Sequence, residues 1–293
     1  MDVVLGHWNT WEDDALILDK ANNRFADSAK VHRLDHVGHY FQSRGPFSVP
    51  RSPQGHPVLI QAGQSGRGQS FAAKWADLVF VIFHGLQDGI REYVTFKAAV
   101  AAAGRNPASV RVAPACYVCV GESEAAAQDK RAIIEATARE IDALVLLSEV
   151  LNYDFASKPI DEPFTDAELT EFSFQGFRDR VIRLSGKKNP TVRDFISTSG
   201  RGTIKQHPMF CGSPKQVADQ MEEWFTAPAC DGFVPAASNM PGAYDDVVRL
   251  LVPELQRRGL FQKEYAGPIL RDNLGLPIPR SADWYPARRR AAE

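Results

Sequence analysis

Apolar runs too short for helices alternate along this sequence with longer stretches of helical pattern, and that alternation restricts the chain to an α/β fold with a parallel sheet. Residues 58–62 form one such run, entered through Pro57 and closed by Gly63. Residues 77–83, 110–120 and 231–236 form three more. Between them the pattern predicts helices from about 65 to 75, from 88 to 103 with Gly104 as a C-terminal stop, and from 122 to 148. Ser213 and Pro214 open another helix, the serine as N-cap and the proline at the first helical position. From 152 to 207 the periodicity weakens around Pro159, Pro163 and Gly186-Lys187-Lys188-Asn189-Pro190, so this stretch reads as an insertion before the final strand. Four parallel strands are half of a (β/α)8 barrel. The expectation is one domain over residues 1–293, of TIM-barrel type, with only the last four βα units present. Upstream, Trp8 to Asp14 read as the end of a helix and residues 36–50 as an irregular hairpin-like excursion.

Composition narrows the function classes. A formal charge of −2 gives no electrostatic footprint for a nucleic-acid backbone, and no basic stripe is interleaved with aromatics. No run of 18 apolar residues occurs and the start lacks a basic segment followed by an apolar one, so neither a membrane span nor export is expected, and a cytoplasmic location is. Four cysteines are too few for a disulfide framework. Cys116 and Cys119 form a C-x-x-C, but on a strand positions i and i+3 face opposite sides, so the pair reads as structural thiols.

The strongest chemical signal is Gly63-Gln64-Ser65, with Gly66, Arg67 and Gly68 behind it, where a strand ends and a helix begins. Glycines there admit an anion close to the backbone, and the first N–H groups of a helix point at it. The same residues also suit a tight turn with a capping serine. His84 falls just past a strand end, on the face where barrels keep their sites, and is a candidate near a cofactor or substrate. His32, His36 and His39 have no cysteine partner and no helical ligand spacing, so no metal is expected. Asp161 and Glu162 read as solvated loop charges, and Arg288-Arg289-Arg290 as a disordered end.

Residues 52–65, Ser-Pro-Gln-Gly-His-Pro-Val-Leu-Ile-Gln-Ala-Gly-Gln-Ser, closely resemble a segment of the luciferase-like flavoprotein family, in its nitrilotriacetate and dibenzothiophene-sulfone monooxygenase branch. Blocks at 8–15, 35–41, 45–47, 212–214, 231–233, 252–260 and 265–276 agree in order, so the resemblance spans nearly the whole chain. It implies a TIM-barrel enzyme using reduced FMN, delivered by a separate NAD(P)H-dependent flavin reductase, to insert one oxygen of O2 into a small organic substrate. It also implies a homo-oligomer. In this family the loop matching Gly63, Gln64 and Ser65 helps hold the FMN phosphate. The redox chemistry belongs to the cofactor, while the protein orients and shields it.

The sequence also departs from the family. In relatives the block at 8–15 follows a long N-terminal region that supplies four strands and most contacts to the flavin ring, and this sequence does not contain it. The alternative expectation is therefore a non-catalytic half-barrel, a remnant or an interaction module.

Overall fold

The computed structural model describes residues 1–62 and 66–283. A first helix, α1 (Asp2–Trp8), precedes two antiparallel ribbons, β1 (Leu16–Asp19) with β2 (Arg24–Ala26) and β3 (His36–Val37) with β4 (Gln42–Ser43). The Asn9 side-chain amide turns back to donate to Leu5 O at 2.8 Å and closes α1. Trp11 to Asp14, expected in the helix, therefore leave it, and Trp11 instead bridges to Val31 and donates its indole N–H to Phe47 O. The second ribbon is a hairpin within 36–50.

The centre is a parallel sheet. β5 (Ile60–Gln61) pairs with β6 (Leu78–Val81), and β6 with β7 (Arg111–Val120). The long β7 has two more neighbours, β8 (Met209–Gly212) along residues 117–120 and β9 (Val234–Ala236) along 115–117. Backbone hydrogen bonds assign the edges. The N–H groups of Arg111 and Tyr117 donate to Asp77 O and Pro208 O, so by the alternation of the pleat β6 and β8 share one edge of β7. Val112 exchanges hydrogen bonds with Asp231, which puts β9 on the other edge. β5, β6, β7 and β9 thus run side by side in chain order, and β8 lies end-on beyond β6. The sheet has five strands where the sequence suggests four. The extra one, Met-Phe-Cys-Gly, is four residues long, too short for alternation to declare itself.

The helices α2 (Gly66–Trp75) and α3 (Leu86–Ala102) follow β5 and β6. The helix expected over 122–148 is two, α4 (Glu124–Ala136) and α5 (Glu140–Leu151), parted at Thr137 to Arg139, where Arg139 takes an extended conformation and the chain restarts. Residues 152–207 hold α6 (Asp166–Glu171), α7 (Gln175–Ser185) and α8 (Val192–Ser199). Then comes α9 (Pro214–Thr226), opened by Ser213 in a reciprocal capping box with Gln216.

Two separate apolar cores result. In the first, Val79, Val81 and Phe83 and the even-numbered β7 residues Val112, Cys116, Val118 and Val120 pack against α2, α3 and α9. The second lies under α5 to α8, where Phe155, Phe164, Phe172 and Phe195 are buried and every pair of rings is 5.2–5.5 Å apart between centroids. Such tilted contacts add to area burial.

Cys116 faces the first core, while Cys119 donates its thiol to Ala127 O on α4, so the C-x-x-C is divided between faces and its thiols are free. Burial pushes the Cys116 and Cys230 thiols up to about 12. At pH 8 only about one thiol in ten thousand would then be ionised at each. A disulfide-exchange reagent is expected to leave both unmodified for minutes in the native protein and to titrate all four cysteines in denaturant; rapid native modification of either would contradict this.

Among the described residues no helix is long and apolar enough to cross a membrane, and no group of three or more His, Cys, Asp or Glu could hold a metal ion. The Arg288-Arg289-Arg290 tail lies outside the described residues.

Candidate functional site

All five strands of the central sheet run parallel, and the chain enters β8 just beyond the C-terminal ends of β5 and β6, so these ends share one rim. The odd-numbered residues of β7, Ala113, Ala115 and Tyr117, face away from the helix layer, as do the half-buried Leu78 and Phe80 of β6 and Ile82 just beyond it. On this face Ile60 of β5 is 63% exposed. The rim therefore borders an apolar face of the sheet.

The first expected element lies at the end of β5. Gly63, Gln64 and Ser65 themselves fall outside the described residues, but the elements on both sides are defined. β5 ends at Gln61, and the ten-residue α2 starts at Gly66, where a Cβ would project into open space. The first residue of α2 thus leaves room for a ligand beside its backbone, as a phosphate at a helix start requires.

The second element is His84, three positions past the end of β6. Its Nδ1 lies 3.2 Å from Arg180 Nη2, and its backbone N–H donates to Asp88. The ring is exposed in area yet partly desolvated, and that desolvation first, then the charge of Arg180, holds its imidazole below the ordinary range. The expectation that His84 belongs to the rim agrees with this position.

Two further segments converge on His84. Arg180 projects from α7, whose Val181 is buried in the second core. His207 precedes β8 and packs its ring against Tyr117 with centroids 5.1 Å apart. Burial, then Arg201 and Arg180, depresses the His207 imidazole. The Tyr117 hydroxyl is shifted upward by burial. Arg201 reaches over the Phe177 ring, 5.8 Å from its centroid. Its place is fixed by the glycines on both sides, Gly200 at φ +63° and Gly202 at φ +74°, a left-handed geometry that disfavours side chains. A Cβ on Gly200 would come 2.8 Å from Gln206 N, and one on Gly202 3.1 Å from Ala143 N.

The rim is strongly cationic. Among the described residues Arg180, Arg183 and Arg201 form no salt bridge, and the acid felt by His84 and Arg180 is Asp88, already engaged by Arg91. Arg201 Nε and His207 Nδ1 are buried without a hydrogen-bond partner among the described residues. The sequence reading missed Arg180, Arg201, His207 and Tyr117, which lie on α7, on the loop between α8 and β8, and on β7; only the Gly-Arg-Gly triplet at 200–202 carried a local signal. His32 bonds Glu12, and His36 and His39 sit on or beside the exposed second ribbon, so these three form no common centre. Asp161 is exposed and pairs with Arg193, while Glu162 pairs with Lys158.

A family model described as luciferase-like monooxygenase matches residues 17–230. The chain is 38% identical over 282 residues to the dibenzothiophene-sulfone monooxygenase of Rhodococcus erythropolis, covering 96% of this chain and 62% of that protein. It is 37% identical over 284 residues to component A of the nitrilotriacetate monooxygenase of Aminobacter aminovorans, covering 96% and 62%. Among solved structures, a riboflavin lyase with modified FMN and riboflavin superposes with a TM-score of 0.80 at 29% identity, covering 95% of this chain and 61% of that one. The chain thus spans about three fifths of the length of these relatives, and at that extent of match it belongs to the luciferase-like monooxygenase family.

Proposed function

We propose that this chain is part of a cytoplasmic two-component monooxygenase that uses reduced FMN and O2 to oxygenate a small organic molecule, the reduced flavin coming from a separate NAD(P)H-dependent reductase. The observation that carries the reading is the similarity over 96% of the chain to two monooxygenases, one of them named as component A of its system. The strand-to-helix passage at 61–66, on the rim of the sheet, supports it. On this reading Gly63, Gln64 and Ser65 hold the FMN phosphate, with the start of α2 favouring its negative charge. Reduced FMN, when bound, supplies the reaction with O2 and the oxygen that is transferred. The protein's share is to fix the phosphate, to shield the reacting centre with the apolar face bearing Leu78, Phe80 and Ile82, and to orient the substrate from the rim.

We read β5, β6, β7 and β9 as the last four strands of an eight-stranded barrel. Supporting this, β5 and β9 each have one neighbour among the described residues, and Ile60 is exposed on the face turned away from α2 and α3. The strands that complete the flavin-ring pocket, on this reading, come from polypeptide outside this sequence, and the working enzyme is a homo-oligomer. Residues 152–207 are an excursion that covers the rim and selects substrates.

Two measurements test the proposal. A phosphate loop alone gives a few charge-assisted hydrogen bonds of about 1.5–3 kcal/mol each, against an association cost of about 4–15 kcal/mol. The 293-residue chain is therefore expected to bind FMN no tighter than about 0.1 mM, which corresponds to roughly 5.5 kcal/mol; a micromolar constant on calorimetric titration would show that these strands carry the ring pocket themselves. With the remaining strands supplied, a flavin reductase, NADH and FMN should drive isotopically labelled oxygen from O2 into an organic acceptor, read by mass spectrometry. A complete barrel that binds no FMN would end the monooxygenase reading.

A further inference from the structure

We propose that Arg180, Arg201 and His207 form a recognition site for a carboxylate or similar oxyanion on the organic substrate, an assignment that rests on the monooxygenase reading above. The charge balance of the rim calls for an anion. Arg180, Arg183 and Arg201 stand together without a described carboxylate paired to any of them, and Asp88 is shared with Arg91 and the backbone of His84. Clusters of like charge are retained where an opposite charge is to be bound.

The hydrogen-bond balance calls for the same ligand. Arg201 Nε is a permanent donor, buried and without an acceptor among the described residues, and a protein rarely leaves such a group unsatisfied. His207 Nδ1 is buried and lacks a partner beside it, and in the tautomer protonated at that nitrogen it is a second donor. A carboxylate has two acceptor oxygens and carries the charge that Arg180 and Arg201 lack. An alkane or an uncharged sulfide would leave both donors empty, so the site disfavours neutral substrates.

The site is also held in place from two directions. Arg201 is set by the left-handed glycines at 200 and 202, while Arg180 is carried by α7, anchored through Val181 in the aromatic core of the 152–207 segment. Tyr117 belongs to the parallel sheet, and His207, just before β8, packs on its ring. An anion bound here would bridge the two cores at the C-terminal rim, where barrel enzymes place substrate contacts.

Calorimetric titration of the 293-residue protein with tricarballylate, a flexible tricarboxylate, and with its uncharged trimethyl ester tests this without any flavin. The acid should bind and the ester should not, and binding of the acid should weaken several-fold between low and moderate salt. Arg201→Gln and Arg180→Gln should each lower affinity about tenfold or more, while Arg139→Gln, on the exposed start of α5, should leave it unchanged. Arg201→Lys should recover only part of the loss, because one ammonium lacks the planar donor set. Equal binding of acid and ester, no binding of the acid, or full affinity in a folded Arg201→Gln protein would overturn the proposal. Titrations with FMN and riboflavin separate the remaining source of an oxyanion: if Arg201→Gln weakens FMN but not tricarballylate, the cluster is a flavin-phosphate site and the proposal is wrong. Failure of oxygen incorporation would instead strike the parent reading, leaving these binding data intact.

Discussion

Replacing Arg271 with alanine is expected to remove about 3–5 kcal/mol of folding stability, the range for stripping one partner from a buried ion pair. Arg271 is 2% exposed although it lies near the end of the described chain. Its guanidinium donates to His56 O at 2.8 Å, Pro277 O at 3.0 Å, Pro57 O at 3.1 Å and the Asp77 carboxylate at 2.6 Å. The same carboxylate oxygen accepts the Leu59 N–H at 3.0 Å. One side chain thus ties the C-terminal segment to the entries of β5 and β6, at the end of the sheet opposite the cationic rim. Alanine would leave the Asp77 carboxylate buried without its cation and three carbonyls without their donor. Urea unfolding followed by circular dichroism gives the value, and a loss below about 1 kcal/mol would show that water replaces the guanidinium at little cost. Asp77→Asn should cost less than the alanine variant, since the amide keeps an acceptor for Leu59.

Phe155→Ala should cost a similar amount, about 3–5 kcal/mol by the usual range for a buried phenylalanine, but in a different place. The ring is fully buried and touches Phe164, Phe172 and Phe195. None of these belongs to the core beneath the parallel sheet. The damage should therefore concentrate in residues 152–207, and hydrogen exchange read by mass spectrometry should show amides of α6, α7 and α8 losing protection before those of β6 and β7. Uniform loss of protection across both cores would mean that they unfold as one unit.

The parallel sheet was legible because its main strands are continuous apolar runs, which burial on both faces demands. The 110–120 run gives β7 almost residue for residue, and Ser213-Pro214 marks the true start of α9. Shorter elements were not legible. β8 has four residues, and its only mark is the capping box directly behind it. The division of 122–151 into α4 and α5 falls on a three-residue break, Thr137 to Arg139, that holds neither glycine nor proline, so periodicity does not register it. In the candidate site, glycine and helix-start chemistry pointed to 63–65, and position past a strand end pointed to His84. Arg180, Arg201 and His207 could not be found that way, because what makes them a group is the packing of the 152–207 segment against the sheet, a contact with no counterpart in local spacing.

The end-on arrangement of β6 and β8 along one edge of β7 bears on how the chain reaches this state. β6 can pair with β7 after about thirty positions, most of them in α3, have been closed, whereas Tyr117 and Met209 meet only when roughly ninety intervening positions have been gathered in, an entropic cost that grows slowly with length but must be met before the contact rewards it. The aromatic cluster of the 152–207 segment shortens that search, since its collapse draws the end of α5 and the approach to β8 toward each other. Slowed refolding of the β7–β8 edge in a chain that has lost this cluster would be the kinetic counterpart of the geometry: half of β7 is zipped by its neighbours in sequence, and the other half waits for an insertion to fold.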